Sequence, residues 1–123
     1  MTMTVELSDD GRYVRVTQQG AVEIAQIKAA RSDSLPLYFG NCDRALVDFR
    51  LAEIGHLGLI DLDNLGISFK RDVPKCKRMA IVIPANTDQW QGRYTHLANA
   101  HIICGVKTAL FCDMDEATAW LLT

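Results

Sequence analysis

The residue types best placed for chemistry are Asp48 and Arg50, which flank Phe49 at the exit of the apolar run Ala45-Leu46-Val47. A run this short and evenly apolar reads as a strand buried on both faces, and such strands belong to parallel sheets. Pro84, Asn86 and Thr87 follow a second apolar run, and Cys112 and Asp113 follow a third. In open α/β sheets ligands bind beyond the carboxyl ends of the strands. Asp48, Arg50, Asn86 and Asp113 therefore form one candidate binding lip. The plainer expectation for the same residues is structural: Asp48 and Asp113 cap loops and helices, and Arg50 pairs with one of them.

Nucleophilic catalysis needs a nucleophile with a base in hydrogen-bond reach. Cys112, between a strand and a helix start, is the best thiol, because a helix N-terminus lowers a thiol pKa. Asp113 beside it opposes that effect. No nucleophile elbow, phosphate-binding loop or dinucleotide fingerprint is present. The four cysteines (42, 76, 104 and 112) form no C-x-x-C pair and are expected as reduced thiols. His96 and His101 are five apart, on different helix faces. No enzyme activity, metal or cofactor is expected.

A chain of 123 residues with net charge −2, 49% apolar and 23% charged, has ordinary globular usage and predicts one domain over 1–123. Lys70, Arg71, Lys75, Lys77 and Arg78 are the nearest thing to a basic cluster, and they read as a solvated helix end and loop. Without a basic stripe, nucleic acid is not an expected partner. No run has the length of a membrane span. Met1 to Asp10 lacks the charged and apolar regions of a signal peptide, so the cytosol is the expected compartment.

The elements follow from periodicity. Thr2–Leu7 and Arg12–Thr17 alternate around Asp10-Gly11, a hairpin signal. Gln18-Gln19-Gly20 breaks that pattern, and Val22 to Arg31 reads as a helix covering a sheet. Ser32 to Asp43 is a short extra strand, a helix extension or a loop folded on its own core. Arg44–Arg50 is the central strand, and Leu51–Ile60 a connector with Gly55 and Gly58 as breakers. Asp61 is available to cap the next helix, with Leu62, Leu65 and Phe69 inward. Met79–Ile83 is a strand stopped by Pro84. Thr87 or Asp88 caps a long helix reaching about Cys104, with Trp90, Tyr94, Leu97, Ala98 and Ile102 as its stripe. That face reads as core, or as a surface for a second copy or an apolar ligand. Lys107–Cys112 is the last strand, and Asp113 with Glu116 starts the last helix, with Met114, Ala117, Trp120 and Leu121 inward. The order β-β-α-β-α-β-α-β-α predicts about five strands, mostly parallel with an antiparallel N-terminal hairpin, and about four helices.

This pattern resembles the STAS domains typified by anti-sigma-factor antagonists, and more narrowly their SpoIIAA-like bacterial relatives. The residues that carry the resemblance are Gly11–Val16, Gly20, Leu46-Val47-Asp48 with Arg50, Arg78–Val82 and, above all, the ending Ala109–Leu121. It covers nearly the whole chain except Ser32–Asp43, which looks like an insertion. The resemblance implies a non-enzymatic interaction module. It also implies a phosphorylated serine at the start of the helix after the central strand, where backbone N–H groups and the dipole favour phosphate. Here that turn reads Gly58-Leu59-Ile60-Asp61-Leu62-Asp63, with no hydroxyl and two carboxylates, so no such switch is expected. Some relatives are compared with lipid-binding CRAL-TRIO domains. The expectation is thus a cytoplasmic protein-binding module, with a protein partner or a second copy as its target. The alternative is a domain holding a small apolar ligand between the sheet and the Trp90 helix. Asp48, Arg50, Asn86, Trp90, Tyr94 and Asp113 are the candidate binding residues.

Overall fold

A computed structural model describes residues 2–85 and 91–123. Strands β1 (Thr2–Leu7) and β2 (Val14–Ala21) pair antiparallel, with Val5 opposite Val16. Their turn is tied by Ser8 Oγ, which accepts from the backbone N–H of Arg12 and Tyr13, each at 3.1 Å. Gly11 takes φ +73° there, a conformation that L side chains avoid. After β2 come α1 (Ile24–Asp33), β3 (Arg44–Glu53), α2 (Leu59–Asp72), β4 (Arg78–Val82), α3 (Gln91–Ile103), β5 (Lys107–Phe111) and α4 (Met114–Leu121). The sheet runs in the order β1-β2-β3-β4-β5, with every pair but the first parallel and β3 at its centre.

Two strands outrun their sequence signals. β2 continues through Gln18-Gln19-Gly20, and β3 through Leu51-Ala52-Glu53. The two pair with each other there, after a register shift between Thr17 and Gln19. Ladder hydrogen bonds outrank the weak strand preference of Gly and Gln. Residues 35–39 form a 3-10 turn that buries Leu35 and Phe39 and leaves Leu37 outward. This is the folded-back loop among the expected outcomes.

Alternation along β3 divides the core. Ala45, Val47 and Phe49 join Ile27 of α1, Leu62, Leu65 and Phe69 of α2, and Tyr94, Leu97 and Ala98 of α3. Leu46 joins Ala80, Val82 and the α4 residues Ala117 and Leu121 on the other face. α2 and α3 approach so closely that a Cβ on Gly66 would lie 2.4 Å from the Ala100 Cβ. Asp63 also comes within 2.6 Å of His96 Nε2 across this seam.

Two helix details differ from expectation. Asp61 does not precede α2 but sits in its first turn, and its Oδ2 accepts from the Gly58 N–H at 3.1 Å. Ile102 is 49% exposed, and His101 takes the inward position. At 100° per residue, His101 lies about 20° from Tyr94's direction, whereas Ile102 lies about 80° away. The expected cap at Thr87 or Asp88 lies outside the described residues.

A helix of eight residues is marginal alone, and α4 is held at both ends. Asp113 Oδ1 accepts from the N–H of Asp115 (2.8 Å) and of Glu116 (3.0 Å). Arg44 donates to the Leu121 carbonyl, and Arg78 donates to the Trp120 carbonyl at 2.7 Å while lying 4.1 Å over the Trp120 ring. Two cations thus meet the negative end of the helix dipole.

Candidate functional site

Sheet register builds the lip. Asp48 pairs with Val82, the last residue of β4, and Val82 pairs with Phe111, the last of β5. The row Asp48–Val82–Phe111 therefore marks where β4 and β5 stop. Arg50 projects beyond it on one side, and Asp113 follows it by two residues on the other.

Asp48 is 5% exposed. Its Oδ1 accepts from the backbone N–H and the Nε of Arg50, and its Oδ2 from Arg50 Nη2, all at 3.0 Å. This is the two-pronged carboxylate–guanidinium geometry that is strong and directional. Arg15 Nη2 lies 3.7 Å from Oδ2. Burial pushes the Asp48 carboxyl pKa up, but the hydrogen bonds and charge of Arg50, with the charge of Arg15 behind them, outweigh it. The net shift is downward, so the group stays ionised. The hydrogen bond to Asp48 holds the Arg50 pKa above its ordinary value, and the charge of Asp113 adds to this. Leu51, Leu59 and Ile60 stand exposed at the same edge, on the end of β3 and the start of α2. The lip is therefore a fixed cation beside acidic caps, with an apolar margin.

The structure joins Asp48, Arg50 and Asp113 and separates Tyr94 from them. Tyr94 lies on the other face of the sheet, 1% exposed, with its ring edge-on to Phe49 at 5.7 Å. Burial raises its hydroxyl pKa to about 12. Tyr94 is a core residue. Asn86 and Trp90 lie outside the described residues. Cys112 is exposed, while His56 is committed to the Val22 carbonyl at 2.8 Å.

Sequence reading missed Arg15 as a member of the Asp48 group. Its signal was the inward spacing of Val14 and Val16, which turns Arg15 to the Asp48 face. It also missed three polar residues on the opposite face. Gln18, Arg31 and His101 line a cavity of about 50 Å³ between the sheet and α1, α2 and α3, whose other walls are apolar. Arg31 is 6% exposed, and its Nη1 donates to the Leu65 carbonyl at 2.6 Å and to Ser68 Oγ at 3.3 Å. Burial lowers its pKa to about 10. His101 donates from Nδ1 to the Leu97 carbonyl at 2.8 Å, and burial pulls its pKa down to about 4.

No protein-family model matches the chain. No curated protein matches it. Two solved structures do. One is an uncharacterized protein of the DUF3478 family with a SpoIIAA-like fold from Shewanella loihica PV-4, at 20% identity and TM-score 0.58, covering 98% of this chain and 92% of that one. The other is an anti-sigma factor antagonist from Mycobacterium paratuberculosis, at 18% identity and TM-score 0.55, covering 99% and 94%. At such identities the likeness speaks for architecture, and it extends along nearly the full length of both. With its five-stranded mixed sheet and four helices, the chain has the SpoIIAA-like fold.

Proposed function

We propose that the chain acts as one STAS-like domain, a non-enzymatic regulatory module that binds a protein partner through the lip at the carboxyl end of β3. The observation that carries this reading is the lip's mixed surface. Arg50 is held in one geometry by a buried carboxylate, and Leu51 on β3 and Leu59 and Ile60 at the start of α2 are exposed. Arginine is enriched at the hot spots of protein interfaces, and exposed apolar side chains on the segments that leave the same sheet edge are consistent with a contact surface. The anti-sigma factor antagonist among the similar structures supports a protein partner. The start of α2 offers no hydroxyl for a phosphate switch, because the first hydroxyl in α2 is Ser68. That hydroxyl already donates to the Asn64 carbonyl at 2.6 Å.

The test is affinity capture from the native host with the wild-type chain and with Arg50→Glu and Ile60→Asp variants. A protein retained by the wild type and lost by both variants supports the lip. A partner retained equally by all three assigns binding to another surface. Sedimentation of the same variants checks the self-association reading, which requires both substitutions to dissolve any dimer. The expected compartment is the bacterial cytoplasm.

A second reading, binding of a small ligand between the sheet and α3, is favoured by the cavity walled in part by Leu97 and His101. Native mass spectrometry of gently purified protein tests it: a stoichiometric added mass supports it, and the bare chain mass counts against it.

A further inference from the structure

The second reading leaves the occupant's chemistry open, and the cavity's own polar atoms narrow it. Gln18 is 4% exposed, and among the described residues its Oε1 has no hydrogen-bond partner. The alternation that turns Val14 and Val16 inward turns Gln18 inward as well, onto the cavity. A buried acceptor without a donor is unfavourable, so this wall calls for a hydrogen-bond donor. Arg31 lines the same cavity with its charge. It stacks over Phe69 at 5.0 Å and has no carboxylate within ion-pair distance among the described residues. The charge of Arg31 disfavours a cationic donor such as an ammonium. The free oxygen of Gln18 disfavours a carboxylate, which brings only acceptors. A neutral hydroxyl meets both conditions, since it donates to Gln18 and presents an acceptor toward a cationic wall. The remaining walls, Val47, Leu65 and Leu97 among them, suit an aliphatic stub.

We infer that this cavity is a binding site for a small aliphatic alcohol, whose hydroxyl donates to Gln18 Oε1. The inference rests on the ligand-cavity reading above. Size limits the occupant. The cavity holds about 50 Å³, roughly a third of the ~150 Å³ engineered cavity that accepts benzene, so it suits about two to four non-hydrogen atoms.

The experiment is a methyl NMR titration of the whole chain with 1-propanol, with propionate and with xenon. The expected result is saturable 1-propanol shifts at the Val47, Leu65 and Leu97 methyls, with a Kd on the order of millimolar for so small a ligand. Gln18→Leu weakens 1-propanol about fivefold or more and leaves xenon binding in place. If Gln18→Leu does not fold, Gln18→Met serves the same comparison. Xenon binding with 1-propanol unaffected by loss of Gln18 overturns the hydroxyl assignment and leaves the cavity reading intact. Propionate binding tighter than 1-propanol also overturns it. A long-lived internal water at Gln18 that 1-propanol does not displace shows hydration alone and rejects the site. If neither xenon nor 1-propanol saturates, the cavity reading fails and the inference fails with it.

Discussion

Arg50 grips Asp48 with two parallel hydrogen bonds of 3.0 Å, yet the guanidinium side chain is 43% exposed and the carboxylate 6%. The pair is unequal in what each partner loses when the other is removed. Without Asp48, Arg50 turns to water. Without Arg50, Asp48 keeps only a backbone N–H and the more distant Arg15. Arg50→Ala is therefore expected to destabilise by about 2 kcal/mol and Asp48→Asn by about 1 kcal/mol. Urea unfolding of both variants checks the order; a larger loss for Asp48→Asn would refute it.

The same pair sets an acid dependence. The folded pKa of Asp48 lies below its ordinary 3.8, so its contribution is fully present above that value and is lost as pH falls through the folded pKa. The stability gap between wild type and Arg50→Ala is expected to be constant near neutral pH and to close in acid. Unfolding midpoints from pH 7 down to about pH 2 read it directly.

His101 has the opposite chemistry and also loses stability in acid. Its folded pKa is about 4 against an ordinary 6.5, so the unfolded chain takes up a proton first. Stability is unaffected above about pH 6.5 and falls between there and about pH 4, by on the order of 3 kcal/mol at about 1.4 kcal/mol per pH unit. His101→Phe, which keeps a ring against Phe69 (5.2 Å in the native pair), should flatten this limb. A wild-type profile that is already flat from pH 7 to 4.5 would sink the assignment.

Gly66 is a packing requirement of the α2–α3 crossing. An added Cβ would meet the Ala100 Cβ at 2.4 Å and its carbonyl carbon at 2.9 Å. Gly66→Ala gains about 1 kcal/mol of helix propensity and loses more to overpacking, for a net cost of about 1–2 kcal/mol. Adding Ala100→Gly to that variant should recover part of the loss by removing the shortest contact. Thermal unfolding of the single and double variants decides, and non-additivity in the direction of rescue is the required outcome.

Asp113 anchors α4 through two N–H groups. Asp113→Ala is expected to cost about 1 kcal/mol, and Asp113→Ser, which retains a capping oxygen, a fraction of that. Equal losses in chemical denaturation would mean that the cap is not what the carboxylate supplies.

Thiol labelling of the folded chain should modify Cys112 first and leave Cys76 untouched. Cys112 is exposed, whereas burial raises the Cys76 thiol to about 12. Rapid modification of Cys76 under native conditions would contradict its placement.

Local signals alone determined the element order, the hairpin at Asp10-Gly11, the doubly buried run Ala45-Leu46-Val47 and the helix start at Asp113. Each depends on neighbours within a turn or on a period of two or 3.6 residues. The same periods placed Leu62, Leu65, Leu97, Ala117 and Leu121 in the core. Tertiary structure decided the rest. Register along β3, β4 and β5 puts Asp48 level with Val82 and Phe111 and so brings Arg50 and Asp113 to one lip. Parallel pairing of β2 with β3 carries β2 past its Gln and Gly signals and extends β3 through Glu53. The position of α1 against α2 makes Arg31, at the end of the helix read as covering the sheet, a buried wall beside Gln18 and His101. The Tyr94-to-His101 spacing, set against Gly66 and Ala100, moves Ile102 outward. Periodicity is a property of one segment, whereas register, face and crossing distance belong to pairs of segments far apart in the chain. Arg15, Gln18 and Arg31 therefore acquire their roles only when the sheet and its helices are assembled.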